Sequence, residues 1–154
     1  GQLTYMPVEG LTLFSNGSYN YAHSGSTGAQ IAKAPFSTAA VGFIYKRRGM
    51  RLSFSQKFTG PQYATELSSS VTTTDSIRMY RISPYSTGEF AISQEVGQHF
   101  RIGATVSNVF NSRAITAISN GGTVVTNGQT YYAGADQFNF LPPRSFLMDV
   151  RVKY

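Results

Sequence analysis

Arg144-Ser145-Phe146-Leu147-Met148-Asp149-Val150-Arg151-Val152-Lys153-Tyr154 is the stretch that decides the fold. Phe146, Met148, Val150, Val152 and Tyr154 fall on one side of an extended chain. Ser145, Leu147, Asp149, Arg151 and Lys153 fall on the other. Successive side chains of a β-strand point to opposite faces, so a strict period of two marks a strand with one apolar and one polar face.

The same period recurs upstream. Phe100, Ile102, Ala104, Val106 and Phe110 alternate with Arg101, Gly103, Thr105, Ser107 and Asn111. Met50, Leu52, Phe54 and Phe58 oppose Arg51, Ser53, Ser55, Lys57 and Thr59. Ala39, Val41, Phe43 and Tyr45 oppose Thr38, Ala40, Gly42 and Lys46, and Leu11, Leu13, Tyr19 and Tyr21 oppose Thr12, Asn16, Ser18 and Asn20. A less regular strand runs through Tyr80 and Ile82 to Phe90, Ile92 and Val96, with Pro84 and Gly88 inside it. Six strands are readable, and Leu3 to Tyr5 reads as the tail of a seventh.

The connections alternate in length. Pro7-Val8-Glu9-Gly10, Arg47-Arg48-Gly49 and Val96-Gly97-Gln98-His99 are tight turns. Between them lie long loops rich in Gly, Ser, Thr and Asn, over roughly 22–35, 60–77 and 111–143. Up-and-down strands then place all short turns at one end and all long loops at the other. Membrane barrels show this asymmetry. Connections this long are uncommon in compact soluble domains unless they are functional.

Composition narrows the class. Of 154 residues 14% are aromatic (ten Tyr, eleven Phe, no Trp), and 41% are hydrophobic. Only 13% are charged, against roughly 25% in soluble domains. The formal charge of +6 comes from scattered residues whose one run is Lys46-Arg47-Arg48, so no nucleic-acid partner is expected. The absence of cysteine rules out a disulfide scaffold, a thiolate metal site and a cysteine nucleophile. No apolar stretch approaches the ~20 residues of a membrane helix. The chain starts at Gly1 without a signal-peptide pattern, which reads as a processed product or a piece of something larger.

Two all-β architectures fit the alternation. In a soluble sandwich or lipocalin-like barrel the apolar face points to a core. In a membrane barrel it points to lipid, and the polar face lines a wet lumen. A face carrying Arg51, Lys57, Arg101, Asp149, Arg151 and Lys153 among Ser, Thr, Gly and Asn suits solvent or a lumen equally. Tyr21, Tyr45, Tyr80 and Tyr154 at strand ends suit an aromatic girdle and favour the membrane.

Several motifs carry a family resemblance. Arg144 to Tyr154 resembles the terminal strand of bacterial outer-membrane proteins, which the barrel-assembly machinery reads. Asn108-Val109-Phe110-Asn111 is similar to the Asn-Leu-Phe-Asp/Asn that ends the penultimate strand of TonB-dependent receptors, and Pro142-Pro143-Arg144-Ser145-Phe146 to the Pro-Arg-Thr/Ser-Phe that opens the last one. Ala34-Pro35-Phe36 leading into Gly42-Phe43-Ile44-Tyr45, and Tyr5-Met6-Pro7-Val8-Glu9-Gly10-Leu11 at a periplasmic turn, fit the same family in the same order. The resemblance implies an all-β fold, an antiparallel transmembrane β-barrel. Residues 1–154 would be the last six or seven strands of a barrel of about 22. It implies the cell outer membrane, an assembly signal in Phe146, Met148, Val150, Val152 and Tyr154, and uptake of a scarce nutrient such as a siderophore complex or carbohydrate. The implied partners are outer-membrane lipid, the assembly machinery, the remaining strands and plug of the same receptor, and TonB through an N-terminal part outside these residues. The plug domain itself is not among the 154 residues. No cofactor is implied.

Catalytic patterns are weak. His23 and His99 fall on opposite rims and cannot share a metal or a triad. Glu89 and Glu95 share a strand face but lie ~20 Å apart, beyond the spacing of glycosidase carboxylates; they read as lumen charges facing Arg and Lys. Gly25-Ser26-Thr27-Gly28 lacks the Lys of a phosphate loop, and Asn16-Gly17-Ser18 lies mid-strand. No enzyme is expected. Loop 111–143 holds the candidate ligand contacts, Tyr131, Tyr132, Phe138 and Phe140, since exposed loop aromatics can stack on a ligand. A hairpin from Tyr131 to Phe140, extending the last two strands, is the plainer reading of those residues. The alternatives to a receptor segment are a small self-contained outer-membrane barrel (an adhesin or structural protein), which needs about eight strands, and a soluble ligand-binding barrel.

Overall fold

A computed structural model describes residues 1–23, 25, 31–64, 81–119, 123–127, 129–132 and 137–152, with backbone alone for 119, 123–126 and 129–132. Seven strands form one sheet: β1 (Gln2–Val8), β2 (Leu11–Tyr19), β3 (Ser37–Arg47), β4 (Met50–Thr59), β7 (Tyr85–Val96), β8 (Phe100–Ser107) and β13 (Ser145–Val152). Every neighbouring pair is antiparallel, and spatial order follows chain order. The central strands run 9 to 12 residues, enough to cross a bilayer. The remaining strands lie within the long loops: β5 (Gln62–Tyr63) pairs with β6 (Arg81–Ile82), β9 (Ile115–Ser119) with β12 (Gln137–Phe140), and β10 (Thr123–Thr126) with β11 (Gln129–Tyr132).

The register carries each sequence pattern intact across the sheet. Directly opposed residues share a face, and one such row reads Leu13, Phe43, Phe54, Phe90, Val106, Phe146. The rows on the other face include Ser55, Glu89, Ser107 and Ser145. Gln56 is the polar exception on the apolar side of β4. It is only 8% exposed and its Oε1 has no hydrogen-bond partner among the described residues.

Short turns close one end. Arg48 and Gly49 both take positive φ, 47° and 78°, the geometry that lets a two-residue hairpin follow the strand twist. These turns are tied sideways as well: Lys46 N–H donates to Gly10 O at 2.8 Å, and Glu95 N–H to Gly49 O at 3.0 Å. The expected irregular strand over Tyr80 to Val96 is corrected. Pro84 has no N–H for the ladder, so the chain breaks there: Arg81–Ile82 joins a separate small ladder, and β7 starts at Tyr85.

Among the described residues no second sheet covers the apolar face. The buried apolar residues among those described are Ala64, Ile82 and Ile118, all in the loops and none in the seven-stranded sheet. Phe146, Met148 and Val150 are 74%, 77% and 65% exposed. A soluble sandwich or lipocalin-like barrel would bury these side chains in a core, so that alternative does not describe this sheet.

Candidate functional site: two sheet faces and a loop-end platform

The polar face is densest near the short turns. Arg101 pairs across the ladders with Glu95 and Arg151, and Gly103 with Ser93 and Asp149. The Arg101 guanidinium donates to Ser93 Oγ from Nε at 3.2 Å and from a terminal nitrogen at 2.9 Å. The Asp149 carboxylate lies over Gly103, where a Cβ would push it aside. Arg151 Nε meets Asp149 Oδ2 at 3.2 Å, but both side chains are well exposed. Such a pair contributes about 0–1 kcal/mol, so this belt matters as a field of charge more than as a source of stability. With Arg51 these groups line a cavity of about 280 Å³. Of the two carboxylates read as lumen charges, Glu95 stands opposite Arg101, whereas Glu89 stands opposite Ser55 and Ser107.

At the other end the long loops are stitched into one platform. Lys33 N–H donates to Tyr63 O at 2.8 Å, and Phe36 N–H to Pro61 O at 3.0 Å. The Phe36 and Tyr63 rings meet edge-on at 5.8 Å. Gln62, 7% exposed, donates from Nε2 to Thr116 O at 3.2 Å, tying the β5/β6 ladder to β9. Ile82, Ile118 and Ala64 form a buried cluster beneath, with Ile115 packed against it. Above it opens a cavity of about 380 Å³ whose lining includes Arg81, Arg113, Ile115 and Phe140.

The Asn108-Val109-Phe110-Asn111 motif makes the junction between β8 and β13. Asn108 and Asn111 both take φ of 51°, a region Asn tolerates better than other non-Gly residues. Asn108, 7% exposed, donates from Nδ2 to Ser112 O at 3.0 Å and Pro142 O at 2.9 Å, and its Oδ1 accepts from Ser112 N–H at 2.9 Å. Asn111 Oδ1 accepts from Arg144 N–H at 3.2 Å. Phe110 folds back onto the apolar side, edge-on to Phe54 at 6.3 Å.

The residues singled out from sequence are distributed as follows. Phe146, Met148, Val150 and Val152 lie on one face of β13, opposite Val106, Ala104, Ile102 and Phe100; Tyr154 falls outside the described residues. Tyr131 and Tyr132 lie in β11, opposite Val124 and Thr123, with side chains outside the description. Phe138 and Phe140 lie in β12, opposite Ile118 and Ile115. The two aromatic stretches of the expected Tyr131 to Phe140 hairpin do not pair with each other: Tyr131 and Tyr132 join β10, and Phe138 and Phe140 join β9, whose ladder ties into the platform. Phe140 lines the cavity, whereas Phe138 does not. His23 lies in the loop after β2, its ring 4.3 Å from that of Tyr21, and His99 in the turn before β8. Tyr80 and most of Gly25-Ser26-Thr27-Gly28 fall outside the described residues. Arg81, Arg113 and Ile118 were not singled out, and Ile82 was read only as a strand residue. The signal for them is the isolated isoleucines in otherwise polar loops, which require some local burial.

No protein-family model matches the sequence, and no curated protein is similar to it. Solved structures do match. The ferric enterobactin receptor PfeA of Pseudomonas aeruginosa, as a mutant in complex with enterobactin, superposes with a TM-score of 0.73 at 19% identity. That match covers 98% of this chain and 21% of the receptor. The ferric yersiniabactin uptake receptor FyuA of Yersinia pestis gives 0.68 at 14% identity, over 99% of this chain and 23% of that one. The copper transporter OprC gives 0.72 at 14% identity, over 99% and 22%. The chain thus spans about a fifth of the length of the structures it matches. With seven antiparallel strands in sequential order and an apolar sheet face that holds none of the described buried apolar residues, the chain has the fold of a barrel segment of TonB-dependent receptors.

Proposed function

We propose that residues 1–154 are the C-terminal barrel part of an outer-membrane receptor that takes up a scarce nutrient, such as a siderophore complex or a carbohydrate, with energy supplied through TonB. The observation that carries this reading is the bare apolar face, from Leu13 on β2 to Val152 on β13, set against a polar face on the same strands. In water such a face would expose a patch far larger than monomeric proteins tolerate. Against lipid it is the solvated surface, and the opposite face lines a wet lumen. The solved structures with this fold, receptors for ferric enterobactin and ferric yersiniabactin and a transporter of copper, support a role in uptake.

In this reading the polar belt around Arg101 and Asp149 faces the plug, which lies elsewhere in the same polypeptide, as does the part that meets TonB. The assembly machinery reads Phe146, Met148, Val150, Val152 and Tyr154. The loop platform meets the ligand, with Phe140 supported by its place on the cavity wall. The test is uptake by cells with and without the complete receptor, under iron limitation and on single carbohydrates. Loss of one energy-dependent uptake activity on deletion, restored by the intact gene but not in a TonB-deficient strain, is expected. Unchanged uptake of every nutrient would contradict the reading.

A further inference from the structure

We infer that the cleft between the β5/β6 and β9/β12 ladders binds a small anion with a flat apolar body. This rests on the receptor reading and names the chemistry of what is captured. The floor of the cleft is the one buried apolar cluster among the described residues: Ile82 is 2% exposed and Ile118 8% exposed, with Ile115 packed against them. Phe140, 64% exposed, supplies an aromatic wall. Arg81 and Arg113 stand at the cleft, one from each loop, both exposed. Neither has a carboxylate partner among the described residues, and no described carboxylate lines the cavity.

Its volume of about 380 Å³ falls within the roughly 300–1,000 Å³ of small-molecule sites. Its composition, mostly apolar with a few placed polar groups, is that of such sites as well. Two guanidiniums beside an apolar floor satisfy a bound anion through paired, charge-assisted hydrogen bonds. The floor and Phe140 take the apolar body. The cavity on the polar sheet face differs in that Asp149 lies among its arginines and pairs with Arg151, whereas no described carboxylate lines the loop cleft. The cleft is also held on ordered backbone: Arg81 pairs with Tyr63, Gln62 bonds across to Thr116 O, and Leu141 N–H donates to Ala114 O at 2.9 Å.

The test uses the complete receptor in detergent and two fluorescent probes with one ring system, naphthalene disulfonate (a dianion) and naphthalene dimethanol (a neutral diol). The dianion should bind more tightly, and its advantage should shrink as salt is raised. In Arg81→Gln/Arg113→Gln the dianion should lose about tenfold or more per guanidinium, while the diol changes by less than about twofold. Phe140→Ala should weaken both probes. Diol binding doubles as a control that the cleft is folded. Equal losses for both probes, an unchanged dianion affinity in the double variant, or no dianion binding by the wild type would each overturn the assignment. If uptake still depends on the receptor in that case, only the cleft assignment fails; if uptake is independent of it too, the receptor reading falls with it.

Discussion

Leu147 and Val150 are 66% and 65% exposed, so accessibility does not distinguish them. Their ladder partners do. Val150 stands opposite Ile102 in the apolar rows, and Leu147 opposite Thr105 in the polar rows. A cation at the bilayer midplane costs about 2–4 kcal/mol on a lipid-facing strand position and little in a hydrated lumen. Val150→Arg and Ile102→Arg should therefore lower the amount of folded receptor in the outer membrane, while Leu147→Arg and Thr105→Arg leave it near wild type. Heat-modifiability of the extracted receptor on gels reads the folded fraction. Equal losses in the two pairs would reverse or abolish the assignment of faces. This level was legible because a period of two needs only adjacent residues, and from Phe146 to Val152 Leu147 is its one exception. What escaped was the cleft: Arg81 and Ile82 meet Arg113, Ile115 and Ile118 only through the packing of two separate loops, which no local period reports. Asn108 was visible as part of a motif, but its three hydrogen bonds to Ser112 and Pro142 were not.

At the scale of elements, strand register followed the hydrophobic pattern because a slip by one residue would turn every apolar side chain of a strand to the wrong face. Strand ends were less legible. Pro84 divides an apparent single strand into β6 and β7, and Ser107 rather than Phe110 ends β8, since Asn108 leaves the extended region. The loop ladders were hidden by their brevity: β9 to β12 run four or five residues each, too short for alternation to stand out. The terminal strand makes its own prediction. If β13 and the residues after it are read during assembly, deletion of Tyr154 should reduce insertion but leave export intact, so the receptor collects in the periplasm and is degraded. Immunoblots of separated periplasm and outer membrane from a protease-deficient strain follow this. Wild-type abundance in the outer membrane after the deletion would contradict a signal in that strand.

At the scale of the whole molecule, the sheet is open. β1 and β13 are its edges, and the described residues pair neither with the other. Each edge presents a row of backbone N–H and C=O groups that, in hydrocarbon, cost several kcal/mol apiece when unsatisfied. Seven strands whose apolar face meets lipid must therefore find partners at both edges, and in the receptor reading these are further strands of the same barrel. The most direct test is a structure of the particle containing these residues, purified from the outer membrane that makes it. The account predicts one closed barrel in which β1 and β13 are each hydrogen-bonded to a strand outside residues 1–154. A closed barrel formed by these residues alone, with β1 laddered directly onto β13, would contradict it.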